Sequence, residues 1–269
     1  KDLNQNYDIP KIKSKSDLLP AIKSNITFES VSFIYPNTDD KILENISLKI
    51  KTKSLIAFVG KSGAGKTTLV DILLGLLPLS KGKIYFDDIE INSKNINLWQ
   101  NKLGYVPQNI FLIDDTIKNN IAFAVPENEI NFQKIISASK LAELDDYITS
   151  LPHGYDTYVG ERGVRISGGQ MQRIGIARAL YNDPEILVFD EATSALDNVT
   201  EKNIMDSIMK LSNEKMVIIV AHRLSTIKNC DHIYLLEGGK ISNHGSYDDL
   251  VKNSKSFYSM VHANEEIAK

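Results

Sequence analysis

Apolar positions along this chain change period several times, and each change marks an element. Ile26–Phe28 and Val31–Tyr35 read as short strands that stop at Pro36-Asn37. Leu43, Ile46, Leu48 and Ile50 give Ile42–Ile50 a strand pattern that turns near Lys51-Thr52. Ser54–Val59 is a short apolar run of the buried-strand kind, and Thr68–Leu74 after it reads as the opening turns of a helix. Lys83–Phe86 and Ile89–Ile91 predict a hairpin around Asp87-Asp88, and Gly104–Val106 a short strand ending at Pro107-Gln108. From Thr116 to about Leu180 the pattern is helical. Ile130, Ile135, Ile136, Leu141 and Leu144 recur at helical intervals, with a break at Leu151-Pro152-His153-Gly154. Strands return at Glu185–Phe189 and Met216–Val220, both continuous apolar runs. Between them Thr200–Leu211 carries Ile204, Ile208 and Leu211 on one helical face. Ile233–Leu236 and Lys240–Ser242, joined by Glu237-Gly238-Gly239, predict a closing hairpin, and Asp248–His262 a terminal helix.

Alternating strands and helices predict an α/β fold with a parallel sheet. Beside it the early strands form an antiparallel β subdomain. A helical subdomain, about residues 109–182, is inserted before Glu185. Residues 1–24 are polar, rich in Lys and Asn, and broken by Pro10 and Pro20, so they read as a linker, and 25–262 as the folded domain.

Composition narrows the class. The chain has 269 residues, 42% hydrophobic and 24% charged, which is ordinary for a globular protein. A net charge of −3 gives no basic field, so nucleic acid is not an expected partner. The single cysteine, Cys230, cannot form an internal disulfide and fits a reducing compartment. The longest apolar run, around Met216–Ala221, is strand-length, well short of the roughly 18–20 residues of a membrane span, and no signal peptide is visible. The first residue is Lys1 instead of Met, so a longer protein with a membrane portion upstream is expected.

Three constellations carry chemistry. Gly60-Lys61-Ser62-Gly63-Ala64-Gly65-Lys66-Thr67, with Thr68 after it, fits G-x-x-x-x-G-K-[ST] between a predicted strand and helix. Its glycines let backbone N–H groups approach phosphate oxygens. Lys66 adds a full positive charge near the β- and γ-phosphates, and the Thr67 hydroxyl is placed for Mg²⁺. Next, Ile186–Phe189 followed by Asp190-Glu191 is a buried strand delivering two carboxylates at its C-terminal end. Asp190 suits Mg²⁺ and Glu191 a water-orienting base. Third, Ser167-Gly168-Gly169-Gln170 opens a helix with a second anion-accepting end.

With these three in order the chain resembles the nucleotide-binding domain of an ATP-binding cassette (ABC) protein over about Ile26–Leu250. Ile166–Gln170 resembles the Leu-Ser-Gly-Gly-Gln signature, with Ile in the first place. The resemblance implies a P-loop NTPase core and gives roles to residues that alone would be bland. Tyr35 would stack on adenine, and Gln108 would ligate Mg²⁺ and sense a transport domain. Ser194-Ala195-Leu196-Asp197 would form the D-loop that contacts the opposite subunit, and His222 would contact the γ-phosphate. Gly160–Gly163 resembles the X-loop of exporters, and His222–Thr226 also resembles exporter sequences. Gly104–Phe123 and Arg173–Glu185 look most like bacterial lipid or lipid-linked oligosaccharide flippases.

What the resemblance implies is an ATP hydrolase that uses ATP and Mg²⁺. Lys66 would stabilise charge on the γ-phosphoryl group, Glu191 handle the water and His222 hold the geometry. Ser167 and Gly169 would meet the ATP of a second copy, so that two nucleotides are sandwiched in a head-to-tail homodimer. Hydrolysis would drive a transmembrane domain upstream in the same chain, at the cytoplasmic face of the inner or plasma membrane. Rival classes fit less well. A chromosome-acting ABC ATPase places a coiled coil between Gln108 and Ser167, where about 58 residues stand here without heptads. A translation-type member carries two cassettes per chain. A P-loop small-molecule kinase lacks the signature. An importer ATPase is nearer, but the X-loop and the long polar lead-in favour an exporter.

Overall fold

The computed structural model describes residues 19–192, 196–220 and 227–267. Among them ten strands form two sheets. The smaller is antiparallel and contains β1 (Asn25–Ile34), β2 (Lys41–Lys51), β4 (Lys81–Phe86) and β5 (Ile89–Glu90), in the order β2-β1-β4-β5. The two strands expected at Ile26–Phe28 and Val31–Tyr35 are one strand with a bulge. Phe28 and Val31 are three residues apart, as are Leu43 and Ile46 on β2, so strict alternation would send one of each pair to solvent. Ser30 at φ +48° and Asn45 at φ +54° are the residues that reset the alternation. All four apolar side chains are buried as a result.

The larger sheet contains β3 (Leu55–Val59), β6 (Leu103–Val106), β7 (Ile186–Asp190), β8 (Met216–Val220), β9 (His232–Glu237) and β10 (Lys240–Gly245). Its order is β10-β9-β3-β8-β7-β6, with all pairs parallel except the β9–β10 hairpin at one edge. The continuous apolar runs follow from burial on both faces. Leu55, Ala57 and Val59 of β3 join Leu187, Phe189, Val217 and Ile219 in one core. The alternate residues Ile56, Phe58, Val188 and Ile218 join a second core under the antiparallel sheet.

Helices fill both sides. α1 (Lys66–Leu73) lies between the sheets, and α2 (Ile96–Gln100), which the sequence pattern did not announce, brings Trp99 into the second core. Trp99 is fully buried, stacks on Phe86 at 5.9 Å and donates its indole N–H to Leu73 O at 2.7 Å. The inserted helices are α3 (Ile117–Ile121), α4 (Phe132–Leu141), α5 (Asp145–Ser150) and α6 (Gly168–Tyr181), with α3 and α4 packed on α6. The expected apolar stripe is corrected here. Asn131 caps α4 by accepting from Lys134 N–H, so Ile130 lies outside the helix, and Leu141 faces solvent. Ile135, Ala138 and Ser139 form the buried face.

α7 (Asn198–Ser212) buries Ile204 and Ile208 as its periodicity predicts. The single terminal helix expected over Asp248–His262 is two, α8 (Tyr247–Asn253) and α9 (Lys255–Ile267). Ser254 stands between them at φ −119° and ψ 106°, and its hydroxyl accepts from Phe257 N–H at 3.3 Å. The serine ends one helix and starts the next, which lets Phe257 reach full burial.

Candidate active site

The parallel sheet places the candidate residues Lys66, Gln108, Asp190 and Glu191 at or just beyond the C-terminal ends of its strands, where open α/β sheets bind ligands. The loop Gly60–Gly65 leaves β3 and enters α1. Gly60, Gly63 and Gly65 have φ of +155°, +76° and +100°, which β-carbons disfavour. At Gly63 a β-carbon would meet nothing within 4 Å. Lys66, at the start of α1, is only 6% exposed and donates to Gly60 O at 2.8 Å and Lys61 O at 3.0 Å. Its ammonium is therefore held inside the turn that the loop amides form. Burial lowers its pKa, and the charges of Glu191 and Asp190 work against that shift.

Two strands away β7 ends in Asp190, with Glu191 directly after it; β8 lies between β7 and β3. Asp190 is 4% exposed, and burial pushes its carboxyl up to about 6, helped by the charges of Glu191 and Asp71. Lys66 and a hydrogen bond from Tyr105 pull the other way. Glu191 sits at φ +51°, a conformation few non-glycine residues adopt, and its N–H donates to Val220 O at 3.1 Å. Its Oε2 accepts from Gln108 Nε2 at 2.8 Å. Gln108 follows β6, so this contact ties the ends of two neighbouring strands.

One cleft of about 560 Å³ gathers Tyr35, Ser62, Gly63, Gly65, Lys66, Thr67, Thr68, Gln108 and Glu191, with Ile42 beside them. Tyr35 is 39% exposed, packs edge-on against Phe33 and sets its hydroxyl 3.4 Å from Thr68 Oγ1. Thr67 is exposed and Thr68 buried. Ala64 is buried and belongs to the second core, while Lys61 and Ser62 are exposed.

The signature residues are placed elsewhere. Ser167 caps α6 in a reciprocal box: Ser167 N–H donates to Gln170 Oε1 at 2.9 Å, and Gln170 N–H to Ser167 Oγ at 3.3 Å. Ser167 and Gly168 are exposed, Gly169 and Gln170 partly so, and none of the four lines the cleft. Leu196 is buried, and Asp197 caps α7 by accepting from Val199 and Thr200 N–H. Ser194, Ala195 and His222 lie outside the described residues.

Local sequence gave no signal for several neighbours of the site. Tyr105 and Asp71 flank Asp190 from β6 and α1. Arg178 of α6 donates to Phe111 O at 2.8 Å, to Asn120 O at 2.8 Å and to Asn120 Oδ1 at 3.2 Å, with its guanidinium 4.9 Å from the centre of the Phe123 ring. It thereby ties the segment after Gln108 to the signature helix. Gly175, mid-helix, is a readable trace of that contact. A β-carbon there would stand 2.4 Å from Ile110 Cδ1.

The ABC transporter family profile matches residues 43–194. This chain belongs to the ABC transporter family. Leukotoxin translocation ATP-binding protein LktB of Mannheimia glucosida and that of Bibersteinia trehalosi are ABC relatives 41% identical over 244 residues. Each alignment covers 91% of this chain and 34% of the relative, so the chain spans about a third of the length of the relatives it matches. A solved structure of a bacterial Atm1-family ABC exporter with ATP bound superposes with a TM-score of 0.86 at 38% identity, covering 92% of this chain and 43% of that one. The fold is accordingly the P-loop NTPase fold of an ABC exporter's nucleotide-binding domain. Neither name mentions a lipid or an oligosaccharide, so the likeness to lipid flippases gains no support from them. No helix among the described residues is long and apolar enough to cross a membrane.

Asp190 gives a prediction in this ABC domain that does not depend on turnover. Its folded pKa of about 6 stands above the 3.8 of a free aspartate. A raised carboxyl destabilises the fold above the folded pKa, and the cost disappears below the unfolded one. Asp190→Asn should therefore raise the thermal midpoint of the nucleotide-free, EDTA-treated protein by several degrees at pH 7.5. The advantage over wild type should shrink as the pH falls through 6 toward 4. Equal midpoints at pH 7.5 would mean that the charge is not strained.

Proposed function

We propose that this chain is the ATP-binding and ATP-hydrolysing domain of an ABC exporter. Residues 25–262 form the cassette, and residues 1–24 lead to a transmembrane domain of the same chain. The observation that carries the reading is the meeting of Lys66, Gln108 and Glu191 on one open cleft, while the exposed signature turn at Ser167 is not part of its lining. A triphosphate in the cleft has the loop amides and Lys66 on its β- and γ-phosphates, with Tyr35 beside the base. Thr67, Gln108 and Asp190 would hold Mg²⁺, which supplies charge neutralisation on the phosphates. The donor set fits that ion: a hydroxyl, an amide oxygen and one carboxylate, all oxygen ligands beside a phosphate cradle. Gln108 engages Glu191 through its nitrogen, which leaves its oxygen for the metal.

Glu191 accepts a proton from the attacking water and orients it toward the γ-phosphorus. Ser167, Gly168, Gly169 and Gln170 reach the triphosphate of a second copy, so two ATP molecules close a head-to-tail dimer. Leu196 and Asp197 would lie along that interface; the D-loop and γ-phosphate roles expected of Ser194, Ala195 and His222 fall on residues outside the described ones. Hydrolysis then opens the dimer and moves the membrane portion, with the cassette on the cytoplasmic side. The relatives are named for translocation and export, which supports an exporter over an importer, a DNA-repair or translation ATPase, or a kinase.

The test is the dependence of Mg²⁺-ATP hydrolysis on protein concentration. Specific activity should rise with concentration and then saturate, because the site is completed by a second copy. A specific activity that is constant across the range would refute the paired site, and no hydrolysis at any concentration would refute the ATPase reading.

A further inference from the structure

The β9–β10 hairpin carries a histidine pair that the nucleotide site does not use. His244 pairs with Tyr234 across the hairpin, and His232 stands two residues before Tyr234 on the same face. His232 Nε2 and His244 Nδ1 face each other at 3.1 Å. Tyr234 lies against both rings, at 4.7 Å and 5.8 Å between centroids, and is itself fixed by donating its hydroxyl to Lys49 O at 2.8 Å. The pair forms one wall of a groove of about 710 Å³ between the hairpin and the antiparallel sheet. His244 is exposed and His232 half-buried.

We infer that His232 and His244 form a two-imidazole site for a borderline divalent transition metal such as Zn²⁺, Ni²⁺ or Cu²⁺. Two Zn–N bonds of about 2.0–2.1 Å meeting at the tetrahedral angle put their nitrogens about 3.3–3.4 Å apart. The observed separation of 3.1 Å is within a few tenths of that. Imidazole nitrogen suits these metals and not Mg²⁺ or Ca²⁺, so the site is chemically separate from the nucleotide cleft. Without metal, one of the two nitrogens donates to the other. On binding, the proton between them goes to the other nitrogen of the ring that carried it, and both lone pairs turn to the metal. Water in the groove completes the coordination.

The surrounding charges are mixed. Lys49 and Lys51 on β2 oppose a cation, while Glu29 on β1 and Asp249 on α8 favour one. Burial, then His244 and Lys51, hold His232 below the ordinary imidazole pKa, against the pull of Asp249.

The experiment titrates Zn²⁺ calorimetrically into the whole nucleotide-free chain and reads Cu²⁺ coordination by electron paramagnetic resonance. Wild type should bind with a component of one metal per chain, and the Cu²⁺ signal should show two imidazole nitrogens. His232→Gln and His244→Asn should each weaken that component by at least about tenfold, since losing even a partner of a ligand costs that much. Unchanged ATP binding shows that each variant is folded, and His153→Asn serves as a histidine control. Absence of the component in wild type, its survival in both variants, or a Cu²⁺ spectrum without a second nitrogen would each overturn the site.

Discussion

Glu191→Gln is expected to bind ATP as wild type does and to hydrolyse it at least about 100-fold more slowly. The substitution is nearly isosteric, and an amide oxygen still accepts from Gln108 Nε2, so the contact across the cleft survives. The left-handed backbone at φ +51° and the bond from Glu191 N–H to Val220 O do not depend on the side-chain charge. What disappears is the capacity to take a proton from water. The second effect is local and favourable: one of the charges that raise the Asp190 pKa is removed. The variant should therefore be at least as heat-stable as wild type without nucleotide. Binding is read with a fluorescent ATP analogue and turnover by phosphate release. Turnover within a few-fold of wild type would remove Glu191 from the role of base, whatever the binding result.

Much of this was legible because it is local. The phosphate loop is contiguous, and its strand–loop–helix setting follows from apolar runs on either side. Strands buried on both faces announce themselves as unbroken apolar runs, and β3, β7 and β8 fall within a residue of where those runs put them. The two carboxylates at the end of β7 are legible for the same reason. The misreadings are places where distant contacts decide. A bulge at Ser30 answers one at Asn45, and neither is visible without the register between β1 and β2. Ser254 could have continued a helix, but the burial of Phe257 favours a new cap there. The contact of Gln108 with Glu191, and the placing of Tyr105 and Asp71 beside Asp190, join elements tens of residues apart. No local pattern encodes those pairings.

Ser167→Arg should separate the two halves of the proposed reaction cycle. In the Glu191→Gln background, where ATP persists, the parent should form dimers at saturating ATP, and the double variant should remain monomeric while binding ATP with unchanged affinity. The reason is position: Ser167 is exposed at the start of α6 and does not line the cleft that holds Lys66. A guanidinium there leaves the chain's own site alone and fills the space that a second copy's triphosphate must enter. Replacing serine also removes the cap on Gln170 N–H, at a cost of about 1 kcal/mol. Ser167→Ala loses the same cap without adding bulk, so it should still dimerise, only more weakly. Light scattering with and without ATP reads all three proteins. A double variant that dimerises like its parent would place the signature turn outside the interface, and with it would go the claim that each nucleotide is held by two chains.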